Sequence, residues 1–291
     1  MSVTWYVQFI TNTIQKLLTL ISNQHNEKFS NIDRKAYCLL TRYLCCTLGS
    51  ILASLNIYHQ EHFTYNKALS FMLLGLDSDV ASGKLKLASF FYCIGDIERT
   101  ELILKKIEEC YDLSVVDPVC VCYDFKHGAR RERFNRLCYE SNEECTLLKQ
   151  LTASCVRFMR CEINCCPFEL QHEMFRSTQE DLAYRGSFDD WMDFAVVDSL
   201  PYLYFLQYKT YSRLGRLDNN QRALSNIART INVEPNLGHR ETALNILGQC
   251  MEQENNLENA FKCYARSLQI RGRNNSAKFH ICNMLHKLIN Y

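Results

Sequence analysis

Proline and glycine are scarce: four prolines and ten glycines are spread over 291 residues. That scarcity excludes a fold of many short strands and tight turns, which would need such residues at each reversal. An excess of either charge is also missing, since 33 basic residues face 32 acidic ones. No long-range field therefore draws the whole molecule onto nucleic acid or an anionic membrane, and such binding would have to be local. No run of about 20 apolar residues occurs, so the pattern predicts no membrane span. The first twenty residues carry no basic leader, and Gln8, Thr11, Asn12, Gln15 and Lys16 break up any apolar stretch there.

What the chain has in quantity is core material. Residues of hydrophobic type make up 47% and aromatics 12%, ample for one large core or two modest ones, which excludes a disordered chain. Sixteen cysteines invite a disulfide framework. Their spacing is irregular and no export signal precedes them, so free thiols in a reducing cytoplasm are expected, with buried cysteine acting as a small hydrophobe.

Apolar spacing predicts one helix after another, hence an all-α chain. Trp5, Phe9, Ile10, Ile14, Leu17, Leu18 and Ile21 share one face of a first, amphipathic helix. Arg34 to Tyr58 follows with Asp33 at its start, then Lys67 to Leu76. Val80 to Ile94 and Ile97 to Tyr111, parted only by Gly95 and Asp96, predict an antiparallel hairpin. Asp112 to Arg130 and Cys165 to Asp190 read as irregular and flank a helix expected over Glu132 to Glu162. From Trp191 the helical pattern runs to the end. Three parts follow: a helical segment 1–78, a hairpin with a Cys-rich insert 79–190, and repeats 191–291.

Internal repetition is the informative feature. Thr242 to Ile270 fits a tetratricopeptide unit, with Gly248 and Ala260 as the small residues that let two helices approach and Asn255, Asn256 and Leu257 as the turn. Ser82 to Glu109 repeats the spacing with Ala88 and Thr100. Tyr202 to Thr230 matches less well, because Tyr208 and Asn220 sit where small residues belong. Asn275 to Asn290 reads as a lone capping helix. The expected architecture is thus a helical bundle followed by tetratricopeptide-like antiparallel helix pairs in an α-α superhelix.

The stretch DVASGKLKLASFFYCIGDIERTELILKKIEECYD, from Asp79 to Asp112, and the tail from Pro201 to Tyr291 resemble the C-terminal helical region of invertebrate Mab-twenty-one-like proteins. In that family a nucleotidyltransferase-fold domain related to cyclic GMP-AMP synthase comes first, followed by helices. The resemblance implies either a fragment of such a protein or a version without its enzyme half, in an innate-immune or regulatory pathway. It carries over no catalytic residue.

The catalytic motif itself is not found. A nucleotidyltransferase needs a Gly-Ser turn followed by an Asp-x-Asp pair to hold divalent metals. Gly186 and Ser187 precede Asp189, Asp190 and Asp193, which lack that spacing, and Gly49 and Ser50 fall inside an apolar helix. Gly75 with Gly83 and Lys84 departs from a phosphate loop, since seven residues separate the glycines and Leu85 replaces the hydroxyl. Cys120 and Cys122 beside His127, with Cys161, Cys165, Cys166 and His172, are zinc-type ligands without Cys-x-x-Cys spacing. In a cysteine-rich chain such clusters arise by composition, so no metal and no cofactor is expected. Lys126, His127, Arg130, Arg131, Arg133 and Arg136 form one basic stretch, diluted by Asp124 and Glu132 and read as a solvated helix start.

A non-catalytic protein–protein interaction scaffold is therefore expected, its partner another protein or a peptide segment, not nucleic acid or a membrane. Laid on the repeat, Tyr92, Tyr202, Phe205, Lys209, Arg213, Asn245, Gln249 and Glu252 would line the inner groove. Lys209, Arg213 and Asn245 supply part of a clamp for terminal carboxylates. The alternative is a supporting C-terminal region of a Mab-twenty-one-like protein. On the plainest reading, Tyr202 and Phe205 are simply core.

Overall fold

The computed structural model describes residues 3–22, 31–59, 62–120, 122, 136 and 149–290. Helices dominate it. α1 (Val3–Ser22), α2 (Asn31–His59) and α3 (His62–Leu74) make a first group. α1 turns Ile10, Ile14 and Leu17 inward at helical spacing. α2 adds Cys45, Leu48, Ile51 and Ala53, and α3 adds Ala68 and Met72. Gly49 makes their approach possible, because a Cβ there would stand 2.5 Å from Met72 Cγ.

α2 is long and apolar enough to cross a membrane, an 18-residue window within Asp33–His59 having a mean hydropathy of 1.5, which the residue pattern did not predict. Within this fold 61% of that window is buried. It packs against α1, α3 and α4 as the central helix of the group.

α4 (Ser82–Cys93) and α5 (Ile97–Cys110) form the predicted hairpin. Gly95 makes the turn in the left-handed region (φ 84°), and Asp96 caps α5 by accepting a hydrogen bond from the Arg99 amide at 3.1 Å. The insert then brings β1 (Asp117–Val119), β2 (Thr152–Ser154), β3 (Val156–Phe158), the short helices α6 (Phe168–Gln171) and α7 (Gln179–Leu182), and β4 (Ala195–Val197).

Two helix predictions are corrected here. The helix expected over Glu132 to Glu162 is replaced, after Leu151, by β2, β3 and a 3-10 turn, and the helical run expected from Trp191 is interrupted by β4. Tertiary pairing overrides propensity at these points. β2 pairs in parallel with β1, and β3 pairs antiparallel with β4, Val156 opposite Val197. Asp79 joins this ladder to the start of α4, accepting from the amides of Ala81 (2.9 Å), Ser82 (2.7 Å) and Ser154 (2.9 Å).

The tail supplies α8 (Ser199–Arg213) with α9 (Leu217–Val233), α10 (Arg240–Gln253) with α11 (Leu257–Ile270), and the single α12 (Ala277–Ile289). α5 packs on α8, α9 on α10, and α11 on α12, so the hairpins stack although the insert separates the first from the second. The poorly matching Asn220 is accommodated by a hydrogen bond from its Nδ2 to Tyr208 O at 2.8 Å. One apolar core runs from Val80 through Phe158 and Phe205 to Cys250, across the boundary expected at 190.

Candidate functional site

The residues that the repeat reading assigns to an inner groove are the first candidate, and the chain's own insert contacts several of them. Tyr202 and Phe205 are fully buried in the main core. Tyr202 Oη and Ser89 Oγ are 2.6 Å apart, and its ring meets Phe158 edge-on. Asn245 is also buried, donating to Glu173 Oε1 (2.9 Å) and Ser276 Oγ (3.0 Å). Lys209 pairs with Glu169 at 2.5 Å, and Gln249 donates to Glu169 O at 2.9 Å. Arg213 lies over the Tyr92 ring, 4.1 Å from its centroid, and donates to Tyr92 O. Glu252 accepts from Tyr264 Oη at 2.6 Å.

The structure therefore brings Lys209 and Asn245 onto the insert carboxylates of Glu169 and Glu173, sets Gln249 on the Glu169 carbonyl, and sends Tyr202 and Phe205 into the core. Tyr92 and Arg213 form a separate stacked pair. Lys209 and Asn245, named from sequence as part of a clamp for terminal carboxylates, are engaged by carboxylates of the chain's own insert.

The acidic stretch after Gly186 is engaged in local contacts. Asp189 caps the Gly186 amide at 2.8 Å, and Asp193 pairs with Arg160 (3.2 Å) and Arg185 (2.9 Å). Of the basic stretch, Lys126, His127, Arg130, Arg131 and Arg133 lie outside the described residues.

A second candidate lies elsewhere in the fold. Cys120, Cys122, Cys155 and His239 place three Sγ atoms and an imidazole nitrogen within 4.8 Å of one another. The β1–β2 register explains half of this. Val119 stands opposite Ser154, so the next residues, Cys120 and Cys155, leave two parallel strands side by side. Cys122 Sγ is 3.9 Å from Cys155 Sγ, and Cys120 Sγ is 3.0 Å from His239 Nε2.

His239 comes from the loop before α10, and Asp198 at the start of α8 sets its position. The two carboxylate oxygens of Asp198 accept from the amides of Gly238 (3.0 Å) and His239 (2.7 Å). Burial pushes the Asp198 carboxyl up to about 6. Gly238 has to be small, because a Cβ there would meet Cys120 Cβ at 2.7 Å.

Nδ1 of His239 faces Glu241 Oε1 at 3.8 Å, and Arg271 Nε holds that oxygen at 3.2 Å. Trp191 covers the ring, centroids 5.0 Å apart, with Met192 and Val196 completing an apolar shell. Hydrogen bonds from the thiols of Cys120 and Cys122 hold Cys155 below the usual thiol range, helped by His239. Buried donors so disposed form a soft, electron-rich pocket.

Among the described residues of the cysteine and histidine set named from sequence, only Cys120 and Cys122 take part. Cys165 and Cys166 are buried, and burial drives their thiols well above the ordinary range. His172 stacks on Phe279, ring centroids 4.8 Å apart. His127 lies outside the described residues. Every described cysteine is a free thiol. No family model, curated protein or solved structure matches this chain.

Proposed function

We propose that this chain is a non-catalytic protein–protein interaction scaffold of tetratricopeptide-like type whose inner groove is taken by its own insert. The observation that carries the reading is the bonding of Glu169 and Glu173 by Lys209, Gln249 and Asn245 at the groove positions. An internal occupant holds the stacked hairpins in one arrangement. It leaves recognition to the outer surface, where a segment of another protein is the partner.

The surface best suited to this is the exposed aromatic row of Phe168, His172 and Phe279. Phe168 is 68% exposed and Phe279 53% exposed, and His172 bridges them at 5.1 and 4.8 Å between ring centroids. Aromatic side chains of this kind anchor interfaces, because they bury much area at small entropic cost. The test is capture from native lysate by the chain and by a Phe168→Asp, Phe279→Asp variant of unchanged helicity. The reading expects a partner that is lost from the variant and cross-links to α6 or α12. A partner held equally by both, or none at all, sinks it.

A second reading, the supporting region of a Mab-twenty-one-like protein, is favoured by α1. Trp5 and Phe9 stack on its outer side, centroids 5.1 Å apart and planes 7° off parallel, and are 45% and 53% exposed. A neighbouring domain would cover that pair. Co-expression with a nucleotidyltransferase-fold domain should then protect Trp5 from fluorescence quenching, and unchanged quenching would count against it.

A further inference from the structure

The four residues Cys120, Cys122, Cys155 and His239 belong to none of the chemistry just described. We propose that they form a structural zinc site, binding one Zn2+ through three thiolates and His239 Nε2. The site stands independently of the scaffold reading.

The donor set is the first argument. Sulfur and imidazole are the ligands zinc prefers, and four protein ligands close a tetrahedron, as structural sites require. Zinc–sulfur and zinc–nitrogen bonds of about 2.3 and 2.0 Å set sulfurs about 3.8 Å apart and sulfur and nitrogen about 3.5 Å apart. The observed 3.9 Å between Cys122 and Cys155 matches the first, the 3.0 Å between Cys120 and His239 Nε2 is shorter than the second, and all four atoms lie within 4.8 Å of one another, so closure on an ion needs side-chain shifts of about 1 Å or less.

The surroundings are the second argument. Nδ1 turned toward the Glu241 carboxylate leaves Nε2 for the metal, the relation that commonly orients a ligating histidine. Asp198 and Gly238 position the backbone that carries it. Trp191, with Arg176 and Arg271 over its ring at 5.3 and 5.0 Å, shuts out water. Three thiolates and a divalent ion carry one net negative charge, and the Arg157 guanidinium, on the strand that follows Cys155, offsets it.

Binding is a proton exchange in which the cation enters and the protons of the thiols leave for solvent. Its consequence is mechanical. Cys120 and Cys122 follow β1, Cys155 lies between β2 and β3, and His239 opens α10, so one ion staples the insert to the repeats.

The experiment is metal analysis of the full chain purified with a thiol reductant and without chelator, followed by cobalt titration of the same chain after zinc removal. The expected result is about one zinc per chain and, with cobalt, the intense visible bands of a tetrahedral thiolate site. Cys155→Ser and His239→Ala should each lose most of the bound metal, whereas the exposed Cys38→Ser should keep it. Because the cobalt spectrum is read on the unaltered chain, failure of a variant to fold leaves the test intact. Substoichiometric zinc with no thiolate–cobalt absorption would overturn the proposal. So would a Cys122–Cys155 disulfide found in chain alkylated at lysis.

Discussion

Asn245 Nδ2 donates to Glu173 Oε1 at 2.9 Å across 72 residues of sequence, both side chains being buried. Ser276 Oγ donates to the same oxygen at 2.6 Å, and Arg176 pairs with the other at 3.4 Å. One carboxylate of the insert thus joins α10, the start of α12 and its own 3-10 turn. Glu173→Ala leaves a buried guanidinium and a buried amide without this acceptor. A loss of about 3 kcal/mol in urea unfolding is expected, and a loss under about 1 kcal/mol would show that the carboxylate is dispensable.

Lys86 and Glu162 form a second buried link, at 2.6 Å, between α4 and the insert. Glu162 also accepts from the Met159 amide at 2.9 Å. Lys86→Met should cost about 3–5 kcal/mol by stranding the carboxylate, and adding Glu162→Gln should restore most of that. A double variant no more stable than the single one would contradict the pairing.

Much of this architecture was legible in the residues, and the reason is local. Apolar spacing in α5, α9, α11 and α12 reports the face each helix buries, and Gly95, Gly215 and Asn255 mark turns because each adopts positive φ. The strands were illegible because each is three residues long and exists only by pairing: Thr152 needs Asp117, and Val156 needs Val197. Lys209, Asn245 and Gln249 lie on helices the residues predict, yet the groups they bond, Glu169 and Glu173, belong to the insert, which has no repeat pattern. The cysteine and histidine cluster was hidden for the same reason. His239 lies 119 residues from Cys120, and only the β1–β2 register puts Cys155 beside it.

Gly248 sets the spacing of α10 and α11. A Cβ there would fall 2.5 Å from Tyr264 Cε1, and Tyr264 is pinned by its hydrogen bond to Glu252. Gly248→Ala should lower stability by about 1–3 kcal/mol through overpacking. Gly272→Ala, whose Cβ finds its nearest neighbour, Leu268 O, at 3.7 Å, should be close to neutral. Equal thermal shifts in the two variants would refute the close approach.

His280 gives the fold a pH dependence of definite sign. Burial, with His172 and Lys287 nearby, pulls its imidazole down to about 3, and it stacks on Tyr264, whose hydroxyl donates to Glu252. The unfolded chain, with histidine near 6.5, takes up the proton first, so the contribution is complete above pH 6.5 and declines as pH falls toward 3. The slope is at most about 1.4 kcal/mol per pH unit. His280→Gln should flatten stability between pH 6.5 and 5, as read by denaturant midpoints, and an unchanged slope would exclude His280 as its source.

The claim that the hairpins enclose their own insert is tested most directly by hydrogen–deuterium exchange on the full chain, read by mass spectrometry over residues 166–176. The account predicts exchange at least about a hundredfold slower than in an unfolded peptide, and loss of that protection in Glu173→Ala while α8 and α10 stay protected. Unprotected exchange over 166–176 in the unaltered chain, with α8 and α10 protected, would show an open groove and contradict it.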